Sequence, residues 1–144
     1  MVESISTIAQ TKLIIMVINK EILNSIELKA KESGRLRANL CLHTSPDEKV
    51  QKMINVLLSG TEMPIHRHLN SDETLVILQG KVIIIYFDDD GHTIERIEMS
   101  QNSGTNVVDI PRGVWHTVEV TEPVALLEIK EGPYRPLNEN EILY

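Results

Sequence analysis

The sequence predicts a mainly β chain, an antiparallel sandwich or barrel with one short helix near its N-terminus. Three observations carry that expectation. The 144 residues fall within the usual size of a single domain, and a chain of this length buries roughly 68–70% of its unfolded surface, enough for a core without disulfide or metal staples. There are 18 Ile and 12 Val against five aromatic residues, and β-branched side chains suit pleated surfaces better than helices. Beyond residue 50, short apolar runs end in turn residues at intervals of roughly eight to twelve, the spacing of antiparallel strands.

Taken in order, residues 1–11 are polar and aperiodic and are expected to be unordered. An extension over 12–40 follows. Its apolar run at 13–18 reads as a strand, and its helix is expected at about 20–33. Asn19 is placed to cap that helix, Ile22, Leu23, Ile26 and Ala30 give its apolar stripe, and Gly34 marks its stop. The barrel is assigned to 41–136, with strands at 50–58, 74–78, 82–87, 92–99, 105–110, 115–121 and 124–130. Ser59-Gly60, Gln79-Gly80, Asp90-Gly91, Gly104, Pro111 and Pro123 punctuate them. Pro133 and Pro136 suggest that the chain after 131 runs extended over the surface or crosses to a partner subunit, with 137–144 as a tail.

The formal charge is −7 and no stripe of Lys and Arg is present, so nucleic acid is not an expected partner. The apolar runs at 13–18 and 82–87 are too short to span a bilayer. No basic start with an apolar run and a cleavage site opens the chain, and the lone Cys41 has no internal disulfide partner. A cytoplasmic location is the expectation.

Residues 60–80, GTEMPIHRHLNSDETLVILQG, concentrate the chemistry. Side chains two apart on a strand share a face, with Cα atoms about 6.5 Å apart, so His66 and His68 can aim at one ion while Arg67 points away. On a helix they would diverge by roughly 200°, and Pro64 speaks against helix there. A turn over 69–72 would bring Glu73 back beside them. His116, after the Pro111 and Gly113 turn, is placed to join the same pocket. Three imidazoles and one carboxylate suit Fe, Mn, Ni, Co or Zn and leave positions open for water or substrate. Cys41 is not expected among the ligands. Each of these residues alone reads as an ordinary polar side chain; the joint spacing makes the site.

Gly60, His66, His68, Glu73 and Gly80 at this spacing resemble the first cupin motif without departure. Gly104, Pro111, Gly113 and His116 resemble the second, with six residues between Gly104 and Pro111 where the pattern has five, and Val120 where Asn is common. Residues 37–43, 50–57, 87–91, 110–118 and 130–136 further resemble the WbuC family of small cupin metalloproteins. The resemblance, from about Ile14 to Pro136, implies a cupin double-stranded β-helix, a jelly-roll barrel with the metal inside and the short helix outside. It also implies a link to surface polysaccharide (O-antigen) gene clusters.

Strand parity puts Leu75, Ile77, Val118 and Val120 on the metal face, so a largely apolar inner wall is expected. The resemblance includes Arg37, Asn39 and His43, which either close the mouth over a polar ligand or stand as solvated loop residues; Arg112 borders the entrance, Trp115 faces the opposite side from His116 and packs between the sheets or at a dimer contact, and His92 is expected to be exposed. Two functional classes follow. The first is a metal-dependent enzyme acting on a small polar molecule such as a sugar or nucleotide-sugar, either an isomerase or epimerase or a dioxygenase. An isomerase needs a base other than Glu73, for which the sequence offers His43 and Tyr86. The second is a noncatalytic metal- or sugar-binding regulatory protein. A homodimer is expected, because open strand edges gain by pairing.

Overall fold

The computed structural model describes residues 15–144. Helix α1 spans Lys20–Glu32 and is capped by Asn19, whose side chain accepts from the Ile22 N–H. It buries Ile26 and Ala30 on the predicted stripe. The helix stops at Ser33, and Leu36, not Gly34, takes the left-handed conformation, with φ 57°. Ser33 makes the difference: its carbonyl accepts from the Leu36 N–H and its hydroxyl from the Arg35 N–H, which turns the chain two residues later. Over residues 15–18 the strand expected at 13–18 is not formed, and the rest of that run lies outside the described residues, as does 1–11.

Ten strands follow: β1 (Arg37–Cys41), β2 (Val50–Leu57), β3 (Ile65–His66), β4 (Glu73–Gln79), β5 (Lys81–Phe87), β6 (Thr93–Ser100), β7 (Val107–Ile110), β8 (Trp115–Glu119), β9 (Val124–Glu131) and β10 (Ile142–Leu143). They form two five-stranded antiparallel sheets, one in the order β1-β2-β9-β4-β7 and one in the order β10-β3-β8-β5-β6. Seven of these strands fall on runs read from the sequence. β1, β3 and β10 do not, and β1 crosses position 40/41, where the barrel was expected to begin.

The core lies between the sheets. Leu57, Leu75, Ile77, Leu126, Val124 and Ile110 of the first meet Val82, Ile84, Met99 and Val120 of the second and its flanks. The first sheet is covered on its other face by α1, where Ile26 and Ala30 pack on Leu40, Ile54, Val56 and Ala125. Both its faces are therefore buried, which explains why its strands lack a clean polar alternation. Gly80 makes the β4–β5 turn with φ +80°, and an added Cβ would sit 2.2 Å from the Pro123 carbonyl oxygen.

The C-terminal segment does not run free over the surface. Its Gly132 and Tyr134 N–H groups donate to Lys49 O and Pro46 O, a short 3₁₀ turn follows at Glu139–Glu141, and β10 pairs with β3 of its own barrel. The buried Glu141 carboxylate accepts from the Leu69 N–H at 2.9 Å and the Asn138 N–H at 3.0 Å, which anchors the tail here.

Candidate metal centre

His66 on β3 and His116 on β8 are direct cross-strand partners, with ring centroids 4.3 Å apart. His68 follows two residues after His66, and their rings meet edge to face at 5.1 Å. Arg67 between them turns outward, as parity requires, and its guanidinium stacks 4.2 Å over the buried Trp115 ring. Glu73 opens β4 in the opposite sheet and reaches across to the three imidazoles. One ligand atom from each of the four residues lies within 4.8 Å of the others. Donors about 2.0–2.2 Å from a shared ion would have such mutual separations.

Two histidines are oriented by the same local device. The Nδ1–H of His66 points at Pro64 O, 3.0 Å away, and that of His116 at Val114 O, 2.9 Å away. With Nδ1 as the donor, the neutral ring presents the Nε2 lone pair inward, the tautomer a metal requires. Burial, with His116 beside it, pushes His66 down to about 4, so its ring is neutral at ordinary pH. Burial alone would raise Glu73, but His116 and His68 outweigh it and hold the carboxyl well below its usual range. Glu73 Oε2 lies 2.9 Å from His68 Nε2 and 3.5 Å from His116 Nε2. Even so, Glu73 Oε2 and His116 Nε2 are buried without a hydrogen-bond partner. Two inward-facing acceptors left bare in a packed interior are costly, and a divalent cation between them would satisfy both. The donor set fits such an ion.

A cavity of about 450 Å³ opens from Glu73 to solvent. Leu75 and Val118 line it as expected, with Met53, Leu57, Met63 and Leu126, and its polar share comes from Asn55, Glu128 and Lys130 together with Arg35, Arg37, Asn39 and Tyr134. The cause is register. Glu128 sits between Met53 and Leu75, and Lys130 beside Glu73, so one face of β9 places a carboxylate and an ammonium in the barrel. Glu128 Oε2 is 3.6 Å from Lys130 Nζ, and Asn55 donates to its Oε1 at 3.4 Å. Burial, reinforced by Glu73, raises the Glu128 carboxyl to about 8.

Of the mouth residues read from the sequence, Arg37 and Asn39 line the cavity and His43 does not. The buried His43 ring is held on the β2 backbone, with Nδ1 2.9 Å from Lys52 O and 3.1 Å from Lys52 N. Tyr86 is also turned away, its hydroxyl donating to Glu95 at 2.7 Å. Arg112 pairs with Asp72 and Glu131 at the surface. Exposed His92 belongs to the β5–β6 turn, where Asp88 Oδ1 accepts from the Asp90 and His92 N–H groups. Cys41 is free and outside the cluster. Glu128 and Lys130 were missed in the sequence. Their signal was a carboxylate and an ammonium two apart inside an otherwise apolar strand.

No helix among the described residues is long and apolar enough to cross a membrane. Solved structures share the architecture. A protein of Bacillus halodurans aligns over 87% of this chain and 86% of its own, at 22% identity and a TM-score of 0.58. A cupin superfamily protein of Desulfitobacterium hafniense aligns over 66% and 76%, at 19% identity and 0.53. A variant of Bacillus subtilis oxalate decarboxylase aligns over 65% of this chain and 24% of its own, at 23% identity and 0.51. These likenesses are of fold, and the fold is the cupin jelly roll. No curated protein matches the chain. The family model described as a domain of unknown function, DUF6016, matches residues 18–99. That stretch runs from the approach to α1 into β6 and includes His66, His68 and Glu73, and on this match the chain belongs to the DUF6016 family.

Proposed function

We propose that this chain is a metal-binding cupin that acts as a metal-dependent enzyme on a small polar substrate, such as a sugar or nucleotide-sugar. The observation that carries the reading is the position of the cluster: His66, His68, Glu73 and His116 converge inside the barrel, and Glu73 among them lines an open cavity. Iron, manganese, nickel or zinc suits these ligands. Once bound, such an ion would polarise a carbonyl or hydroxyl oxygen of the substrate. Substrate would enter past Arg37 and Asn39. Glu128, with Lys130 and Asn55 beside it, would hold or move a proton at its carboxyl oxygens, the work for which the sequence had offered only His43 and Tyr86. That arrangement favours isomerase or epimerase chemistry. The similarity of residues 37–43, 50–57 and 130–136 to WbuC proteins supports a role in surface polysaccharide synthesis in the cytoplasm.

The test is proton exchange. Protein loaded with each metal is incubated with sugars and nucleotide-sugars in deuterated water, and solvent deuterium entering a C–H position is followed by NMR. Exchange that Glu128→Gln abolishes while metal content is unchanged supports the enzyme. Absence of exchange and turnover with every metal contradicts it and favours a noncatalytic binding protein.

A further inference from the structure

The cavity that ends at Glu73 runs against the charge of the chain. The protein carries −7 overall, yet the cavity is lined by Arg35, Arg37 and Lys130 against Glu73 and Glu128. Lys130 lies 3.6 Å from Glu128 Oε2, and the two arginines remain. Arg96 and Arg112 each lie against a carboxylate, whereas Arg35 and Arg37 have no carboxylate partner among the described residues. Arg35 stands in the turn before β1 and Arg37 is the first residue of that strand, and both line the cavity.

Arg37 is built into place. Its Nη1 donates to Glu62 O at 2.8 Å and contacts Thr61 Oγ1 at 3.5 Å. The buried Thr61 hydroxyl in turn donates to Arg35 O at 2.9 Å. This brace fixes the guanidinium while Nε and Nη2 donate to nothing among the described residues. A held planar fork with free donors is the group that recognises carboxylate or phosphate oxygens. A second unpaired guanidinium beside it raises the local preference for an anion, since two like charges held together are relieved by an opposite one. A neutral ligand would leave both unpaired.

We infer that the ligand of this cavity is a small organic anion, whose carboxylate or phosphate oxygens dock on Arg37 and Arg35 while its other end reaches the His66, His68, Glu73 and His116 cluster. The inference rests on the reading of that cluster as a metal centre and narrows its substrate class to sugar acids, sugar phosphates or similar anions. Lys130 and Asn55 flank the path between the two ends.

The test is calorimetric titration of the zinc-loaded protein with malonate, glycerol 3-phosphate and glucose, at low and high salt, with metal content and thermal midpoint measured on each sample. At least one anion binds, glucose does not, and added salt weakens binding. Arg37→Gln lowers anion affinity by tenfold or more with metal content unchanged, Arg37→Lys recovers part of the loss, and Arg35→Gln lowers it at least threefold. The stronger of the two anions identifies carboxylate or phosphate as the docked group. If Arg37→Gln does not fold, the exposed Arg35 decides through its own variant. Anion binding that is equal in wild type and Arg35→Gln/Arg37→Gln, glucose bound as tightly as the anions, or no binding by any probe overturns the inference. Metal content reports on the centre separately, so a failed metal site and a failed anion site are told apart.

Discussion

Glu73 Oε2 and His116 Nε2 face each other across 3.5 Å from opposite sheets of the barrel, both buried and neither hydrogen-bonded. With the His116 Nδ1–H donated to Val114 O, both atoms are acceptors whenever the ring is neutral. A cation between them would turn an unfavourable pair of lone pairs into two ligand bonds. Replacing the carboxylate by an amide keeps the shape and removes the charge. Glu73→Gln is therefore expected to weaken a hard ion such as Mn(II) by about tenfold or more, and Zn(II) by less. Metal titrations of the two proteins check this, and equal losses for both ions would count against carboxylate ligation.

Acid and base act on the metal-free barrel through different groups. Glu128 is raised from 4.5 to about 8 in the folded chain, so the stability it contributes is complete below pH 4.5 and is lost as pH rises through about 8. His66 is lowered from 6.5 to about 4, so its contribution is present above pH 6.5 and is lost as pH falls through about 4. After chelation, Glu128→Gln removes the alkaline decline: its urea midpoint relative to wild type rises between pH 5 and pH 8. A constant difference across that range would mean that Glu128 is ionised at neutral pH in the folded protein.

The C-terminus holds the strand that carries His66. Glu141 accepts from the Leu69 N–H, Arg67 donates to Asn140 O and Glu141 O, and Ile142 pairs with His66 itself. Glu141→Ala leaves two N–H groups without their acceptor, at a cost of about 1–3 kcal/mol. Metal affinity is expected to fall as well, by roughly 10-fold, because groups that position ligands act at that scale. Chemical denaturation and zinc competition measure the two effects, and an unchanged affinity would remove the C-terminus from the account of the centre.

The His66, His68 and Glu73 grouping was legible because it is local: strand parity, Pro64 and one turn suffice to bring the three together. His116 needed the second turn motif, and the strand runs told most of the barrel. Glu128 and Lys130 were hidden because their facing depends on which strands flank β9, and the helix on the outer side of that sheet erases the alternation that would have told inside from outside. Glu141 was hidden for a simpler reason. Its partner Leu69 is 72 residues away, and a two-residue strand such as β10 has no pattern to read.

The sheets end in open strands. β6 and β7 are edges of the two sheets, and Ile94 and Val107 on them are exposed. Pairing or covering such edges in a second copy would bury both the free backbone groups and these side chains. Light scattering is expected to give twice the 16.3 kDa of one chain, and a monomer at micromolar concentration would contradict that expectation.

The central claim is that these four side chains hold a metal that the fold does not need. Elemental analysis of untagged protein purified without chelator, wild type beside His66→Ala/His68→Ala, tests it directly, with circular dichroism on the same samples. The account predicts close to one transition-metal ion per chain in the wild type and none in the variant, with the β signature kept in both, because neither histidine belongs to the apolar clusters. A wild type that holds no metal and takes none up on reconstitution, or a variant that unfolds, would contradict it.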